Sequence, residues 1–255
     1  MKPSILLQQS HSGKLNDSIN HRKQEIVRQL AELGLTLELA DPTQLSEIKQ
    51  LISEGCEPNV NNQLVESDLY RCLLFGYCVI IRRNDKAIAF YILVPYADPA
   101  RTAYCIFTYA QEQERHQRLP VLASDYANII AMENGQKLSR TWIAPDNYPS
   151  IANHLNHCGF HCDGFSRNLY MKGKPRILVA LELTPEHLLR CKVDCSKLSQ
   201  FIDSYAEGSD FILIDPLDFD HLEEVLREDR FRIVAFTQHQ NLEKLVGVTS
   251  ELMGQ

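Results

Sequence analysis

Between Ala103 and Phe160 the chain runs through a succession of patterns that few folds accommodate together. Residues 103–110 read Ala-Tyr-Cys-Ile-Phe-Thr-Tyr-Ala, rich in the aromatic and β-branched types that suit a pleated strand. A polar loop, 111–118, comes next. Over 119–134 the apolar residues Val121, Leu122, Tyr126, Ile129 and Ile130 recur on one helical face. Pro120 suits a first helical turn, where its missing N–H costs nothing, and Gly135 suits the helix end. A second strand over 137–144 follows, then Asn147, a short helix and Gly159-Phe160.

The flanks complete the order. A charged helix over 14–33, with Ile19, Ile26, Leu30 and Leu33 on one side, is stopped by Gly34 and reads as a helix laid on the domain. Residues 35–40 alternate as a strand. Asp41-Pro42-Thr43 opens a helix with Leu45, Ile48, Leu51 and Ile52 inward, and a further helix over 61–75 ends at Gly76. Residues 77–83 and 86–94, joined by Asn84-Asp85, predict a hairpin. Strands over 160–172 and 175–183 close the set.

Strand, two helices, an antiparallel meander, then strand, loop, helix, strand, Asn, helix and Gly-Phe resemble the GNAT acyltransferase superfamily. The resemblance covers roughly 35–184. It implies an α+β fold: a mixed, mainly antiparallel sheet with splayed central strands and flanking helices. On this reading 1–34 is a helical extension, 35–184 the acyltransferase domain and 185–255 a smaller α/β unit. In the family an acyl-CoA enters between the splayed strands, and a loop of pattern Gln/Arg-x-x-Gly-x-Gly/Ala binds its pyrophosphate ahead of a helix N-terminus. Here that loop falls on Arg115-His116-Gln117-Arg118-Leu119-Pro120. Arg115 fits the first position, while Arg118 and Pro120 replace both glycines, so the charges of Arg115, His116 and Arg118 would have to serve.

The resemblance also implies that the backbone of Tyr109, Ala110 and Gln111 meets pantetheine and that Asn147 is the family Asn. The family commonly draws a proton for the thiolate from a Tyr on the following helix. That position falls on Leu155 counted back from Gly159-Phe160, and on His154 counted forward from Asn147; the segment is one residue longer than usual. His154 is the candidate catalytic group, with Tyr109 lining the acceptor side. Glu112 and Glu114 are candidate bases or members of a solvated loop. His154, His157, Cys158, His161 and Cys162, with Cys191 and Cys195 beyond, are metal-ligand types without the spacing of common zinc knuckles. A Cys–His nucleophile is a further alternative, lacking an evident orienting group.

The tail carries an apparent echo. Asp41-Pro42 and Asp215-Pro216 each follow a strand, and Leu45, Ile48 and Leu51 recur at the same offsets as Phe219, Leu222 and Val225. A hairpin follows each, which predicts a partial second GNAT-like repeat.

The function implied is acyl transfer, most simply acetyl, from acetyl-CoA or another acyl-CoA to a primary amine. A catalytically silent GNAT module, or a transferase fed by a carrier-bound acyl donor, are the alternatives; a homodimer is compatible with either. A net charge of −7 without a basic run speaks against nucleic acid. The longest apolar run, near 73–81, is too short for a bilayer, and the N-terminus has no signal-peptide core, so a cytoplasmic protein without membrane partners is expected. The eight cysteines are scattered, several of them inside apolar strands (Cys78, Cys105), and read as reduced thiols.

Overall fold

Asn84 and Asp85 both take positive φ, 49° and 63°, the backbone needed for a tight two-residue hairpin turn. They join β2 (Tyr77–Arg83) to β3 (Lys86–Pro95) in the computed structural model, as the sequence predicts. The structure describes residues 15–55, 66–169, 172–190, 193–205 and 207–253; the beginning of the predicted 61–75 helix, the segment before residue 15 and Cys191 lie outside these. The chain divides into two compact units, one of 11–139 with 182–188 and one built on 140–181 with 189–255.

In the first unit β1 (Thr36–Leu39), β2, β3 and β4 (Thr102–Ala110) pair in chain order, each antiparallel to the last. One face is covered by α2 (Leu45–Gly55) and α3 (Glu66–Phe75), which press Ile48, Leu51, Leu69 and Leu73 against Ile80, Phe90 and Ile92. Against β2 and β3 lies α4 (Leu119–Glu133), preceded by a polar loop. Its sequence predicts one apolar face, yet Ser124, Asp125 and Asn128 are buried as well. The cause is α1 (Leu15–Glu32), which lies along it. Arg22 pairs with Asp125 at 2.6 Å and Lys23 with Glu133 at 2.9 Å, while Ile19, Ile26 and Leu30 of α1 are buried. A helix covered on two sides does not display a clean polar stripe.

The second unit takes up the chain within β5 (Leu138–Ile143) and orders its strands β5-β7-β6, with β6 at His161–Ser166 and β7 at Arg176–Glu182. Between β5 and β6 run α5 (Tyr148–Ala152) and a π-helical turn (Asn153–His157). After α6 (Pro185–Arg190) and α7 (Cys195–Ser204) comes a separate three-stranded sheet. It is made of β8 (Phe211–Ile214), β9 (Phe231–His239) and β10 (Leu242–Thr249), with α8 (Phe219–Glu228) between β8 and β9.

The order in this sheet is β8-β10-β9, so Leu213 faces Val246 of β10. In the first unit the corresponding strand, β1, pairs instead with the first arm of its hairpin, Leu37 facing Ile81. The tail therefore differs in topology from the start of the first unit. The matching Asp-Pro offsets trace to a shared local device. Asp41 accepts from the Thr43 N–H at 2.7 Å and Asp215 from the Leu217 N–H at 2.9 Å, each turning the chain after a strand. An Asx turn says nothing about which neighbour the preceding strand will find. Among the described residues no helix is long and apolar enough to cross a membrane.

Candidate functional site

The sequence-predicted residues fall in two groups. Tyr109 to Arg118 run from the end of β4 to the start of α4 in the first unit; Asn147 and His154 stand on the helical segment of the second.

At the end of β4 the Gln111 N–H donates to Ile88 O at 2.9 Å, and Tyr109 faces Phe90. Backbone groups alternate sides along an antiparallel ladder, so Tyr109 and Gln111 are spoken for by β3, and Ala110 directs its N–H and C=O away from it. Of the three candidate backbones, Ala110 is the one not held by β3. The Tyr109 ring joins Phe107 on Phe90, with centroids 6.2 Å and 5.7 Å away, and packs on the core beneath α2.

The loop after β4 is a 3-10 turn, Glu112–Gln117. Glu114 is buried and is held by a forked pair from Arg83, Nε to Oε1 at 3.1 Å and Nη2 to Oε2 at 3.0 Å. That removes it as a free base. Gln117 also turns inward, accepting from Arg83 Nη2 at 3.3 Å. Arg115, His116 and Arg118 remain exposed, with no ion pair to any described residue. Arg118 takes φ 56° and ψ 28°, the left-handed conformation that favours glycine, at the position where the sequence resemblance expects the first glycine of the loop. The backbone bend survives the substitution while a guanidinium is added. Val121 and Leu122 N–H both return to Arg118 O, and Pro120 has no N–H, so none of these three positions offers a free amide at the head of α4.

Asn147 is exposed and caps α5, its side chain accepting from Ser150 N at 3.3 Å. The extra residue that made the count from Asn147 to Gly159-Phe160 ambiguous is absorbed by the π turn 153–157, a form in which single-residue insertions are commonly held. His154 and Leu155 are both buried on it. His154 Nδ1 lies 2.8 Å from Ser150 O, an atom that can only accept, so Nδ1 carries the proton. Its ring stands edge-on to Phe160, and its buried Nε2 has no hydrogen-bond partner. Burial pushes the imidazole pKa below its usual value, with the bond to Ser150 opposing. A neutral ring with a bare lone pair at Nε2 is a proton acceptor, the reverse of the donor role that the tyrosine position suggested.

This depression has a consequence for stability. The unfolded chain protonates His154 before the folded one does, so the stabilisation is complete above about pH 6.5 and is lost as pH falls below it. From this one site the slope cannot exceed about 1.4 kcal/mol per pH unit. Urea unfolding between pH 7 and pH 5 should therefore be steeper in pH for the native protein than for His154→Leu. Equal slopes would remove the assignment of a neutral buried ring.

The neighbouring His/Cys cluster does not converge. His161 lies against Arg232, whose Nη2 is 2.9 Å and 3.0 Å from its two ring nitrogens, and Cys162 is buried with its thiol pushed up to about 12. Among the described residues no group of three or more His, Cys, Asp or Glu is placed to hold a metal. One residue that the sequence reading passed over stands out. Asn156, buried on the π turn, donates to Phe236 O and accepts from Phe236 N, both at 2.8 Å, taking the place of a further strand on the edge of β9. Tyr148 stacks on Phe236 beside it, centroids 5.7 Å apart.

No protein-family model and no curated protein matches the sequence. Solved structures do, and they define the fold as that of the GNAT acetyltransferases. The chain is similar to the ribosomal-protein-S18-alanine N-acetyltransferase of Escherichia coli at 17% identity and TM-score 0.51, over 59% of this chain and 94% of that one. It is likewise similar to a GNAT-family acetyltransferase of Streptococcus pneumoniae, at 14% identity and TM-score 0.50, over 59% and 99%. The aminoglycoside 6'-acetyltransferase type Ii gives 12% and 0.50, over 58% and 97%. The likeness is one of architecture and leaves substrate open.

Proposed function

We propose that the protein is a CoA-dependent N-acyltransferase, most simply moving an acetyl group to a primary amine. The observation that carries the reading is the junction at Arg118, which keeps a glycine-like bend at the head of α4 and gathers the unpaired Arg115 and His116 beside it. These three groups would meet the pyrophosphate with charge-assisted hydrogen bonds. The main chain of Ala110 would pair with pantetheine, and Asn147 would occupy the family position after the second central strand. Tyr109, held in the aromatic stack, would line the acceptor side and take no proton.

The amine nitrogen attacks the thioester carbon, the C–S bond breaks, and CoA leaves as thiolate. The proton shed by nitrogen goes to water and on to solvent, because the Nε2 lone pair of His154 is buried and faces inward. The thiolate, whose parent thiol has a pKa of about 8.5, takes its own proton from solvent.

Calorimetry with acetyl-CoA tests the reading directly. Micromolar binding is expected, falling roughly 10- to 100-fold in Arg115→Ala/Arg118→Gly, where glycine preserves the bend and only charge is lost. A specific pair of observations favours a second reading, a GNAT fold that binds no acyl-CoA: Pro120 withholds an amide, and Glu114 puts a carboxylate inside the loop. Absence of heat with acetyl-CoA, CoA and a longer acyl-CoA would select it.

A further inference from the structure

A carboxylate in a loop that receives phosphates repels its ligand unless it is neutralised in place. Glu114 is such a group, and its neutralisation comes from outside the loop. Arg83, the last residue of β2, spans the gap with its whole guanidinium. The Nε and Nη2 fork grips Glu114, Nη2 reaches Gln117, and Nη1 donates to Leu33 O at 3.2 Å, beyond the end of α1. One side chain thus joins three segments: the hairpin, the chain after the N-terminal helix, and both ends of the turn between Glu114 and Gln117. With Glu114 and Gln117 drawn inward, Arg115, His116 and Arg118 stay exposed, beside Glu112 and Gln113 at the start of the turn.

We infer that Arg83 is the positioning residue of the anion-binding loop: it cancels the charge of Glu114 and fixes the 3-10 turn so that Arg115, His116 and Arg118 are presented to the ligand. The inference rests on the acyl-CoA reading for its ligand, but not for its structural half. Arg83 touches no substrate; it acts through Glu114. A planar fork suits this task, because it supplies charge and two parallel hydrogen bonds at once, which a lysine does not.

The test uses Arg83→Met and Arg83→Met/Glu114→Gln in the full chain, with two readouts. The first is the rate of trypsin cleavage after Arg115 and Arg118 under native conditions, followed by mass spectrometry. The second is binding of CoA and of pantetheine, which lacks the pyrophosphate. Cleavage in the loop should rise at least tenfold in Arg83→Met. CoA binding should weaken at least tenfold and pantetheine binding stay unchanged. Adding Glu114→Gln should recover most of the CoA affinity, because the buried carboxylate left without its Arg83 partner is then gone. A general structural defect would weaken both ligands alike and would not be relieved by that second change. Unchanged loop cleavage in Arg83→Met overturns the inference, as does equal loss of CoA and pantetheine. If the native protein binds no CoA, the acyl-CoA reading fails by itself and the cleavage rates alone decide whether Arg83 holds the turn. Should Arg83→Met not fold, Arg83→Lys takes its place, keeping the charge and losing the fork.

Discussion

Asn156→Leu is expected to destabilise the second unit by on the order of 4 kcal/mol, although leucine is close to asparagine in size and the site is buried. The loss has two parts. Phe236 keeps its N–H and its C=O in the interior with nothing to bond, and each orphaned group costs about 1–3 kcal/mol. Against a typical total of about 5–15 kcal/mol for a folded domain, that is a large fraction. The sole tryptophan, Trp142, sits on β5 in the same unit, so its fluorescence in a urea titration reports the transition. Asn147→Ala is the internal comparison. That asparagine is exposed and caps a helix, and its replacement should cost only about 1 kcal/mol. A shift below about 1 kcal/mol for Asn156→Leu would mean that the clamp on β9 is replaceable by water or by relaxation of the strand.

Gly76→Ala is expected to cost about 3 kcal/mol in the first unit, through crowding rather than through backbone conformation. Gly76 links α3 to β2 with no left-handed backbone. A Cβ built there would stand 2.4 Å from Cys72 O and 2.9 Å from Leu93 O, both main-chain atoms that cannot step aside alone. Gly34 offers the contrast, with φ 69° and nothing within 4 Å of the added carbon. Its alanine variant should lose about 1 kcal/mol, the conformational share only. Thermal unfolding followed by circular dichroism separates the two, and equal losses would contradict the crowding argument.

These two sites show where sequence reading succeeds and where it stops. Gly76 was legible as the end of a helix, but the reason for a glycine there was not, because the crowding carbonyl of Leu93 belongs to a strand beyond the next one. The hairpin at Asn84-Asp85 was fully legible, since its turn chemistry is local. So was α4, apart from its buried Ser124, Asp125 and Asn128, which answer to α1. The same division holds at the candidate site. The loop, Asn147 and the helical turn lie where pattern and spacing put them, and the surplus residue was detectable as two counts that disagreed. That it becomes a π turn, and that His154 is left with its lone pair facing inward, depends on Ser150 and on burial by Phe160. Glu114 looked like a free carboxylate because its partner Arg83 comes from the preceding hairpin. Asn156 looked ordinary because Phe236 is far along the chain. Short-range chemistry was readable; pairings across tens of residues were not.

The order β8-β10-β9 carries a consequence for assembly. Neither β8 nor β9 hydrogen-bonds to the other, and β10, the last of the three in the chain, holds both. A chain halted before Leu242 has two strands and no ladder, whereas one halted after Arg83 already has β1 against β2. In the tail sheet β9 and β10 pair across the local turn at Gln240-Asn241, whereas β8 joins only by closing the span from Phe211 to Val248, whose loop-closure entropy falls due before any pairing rewards it.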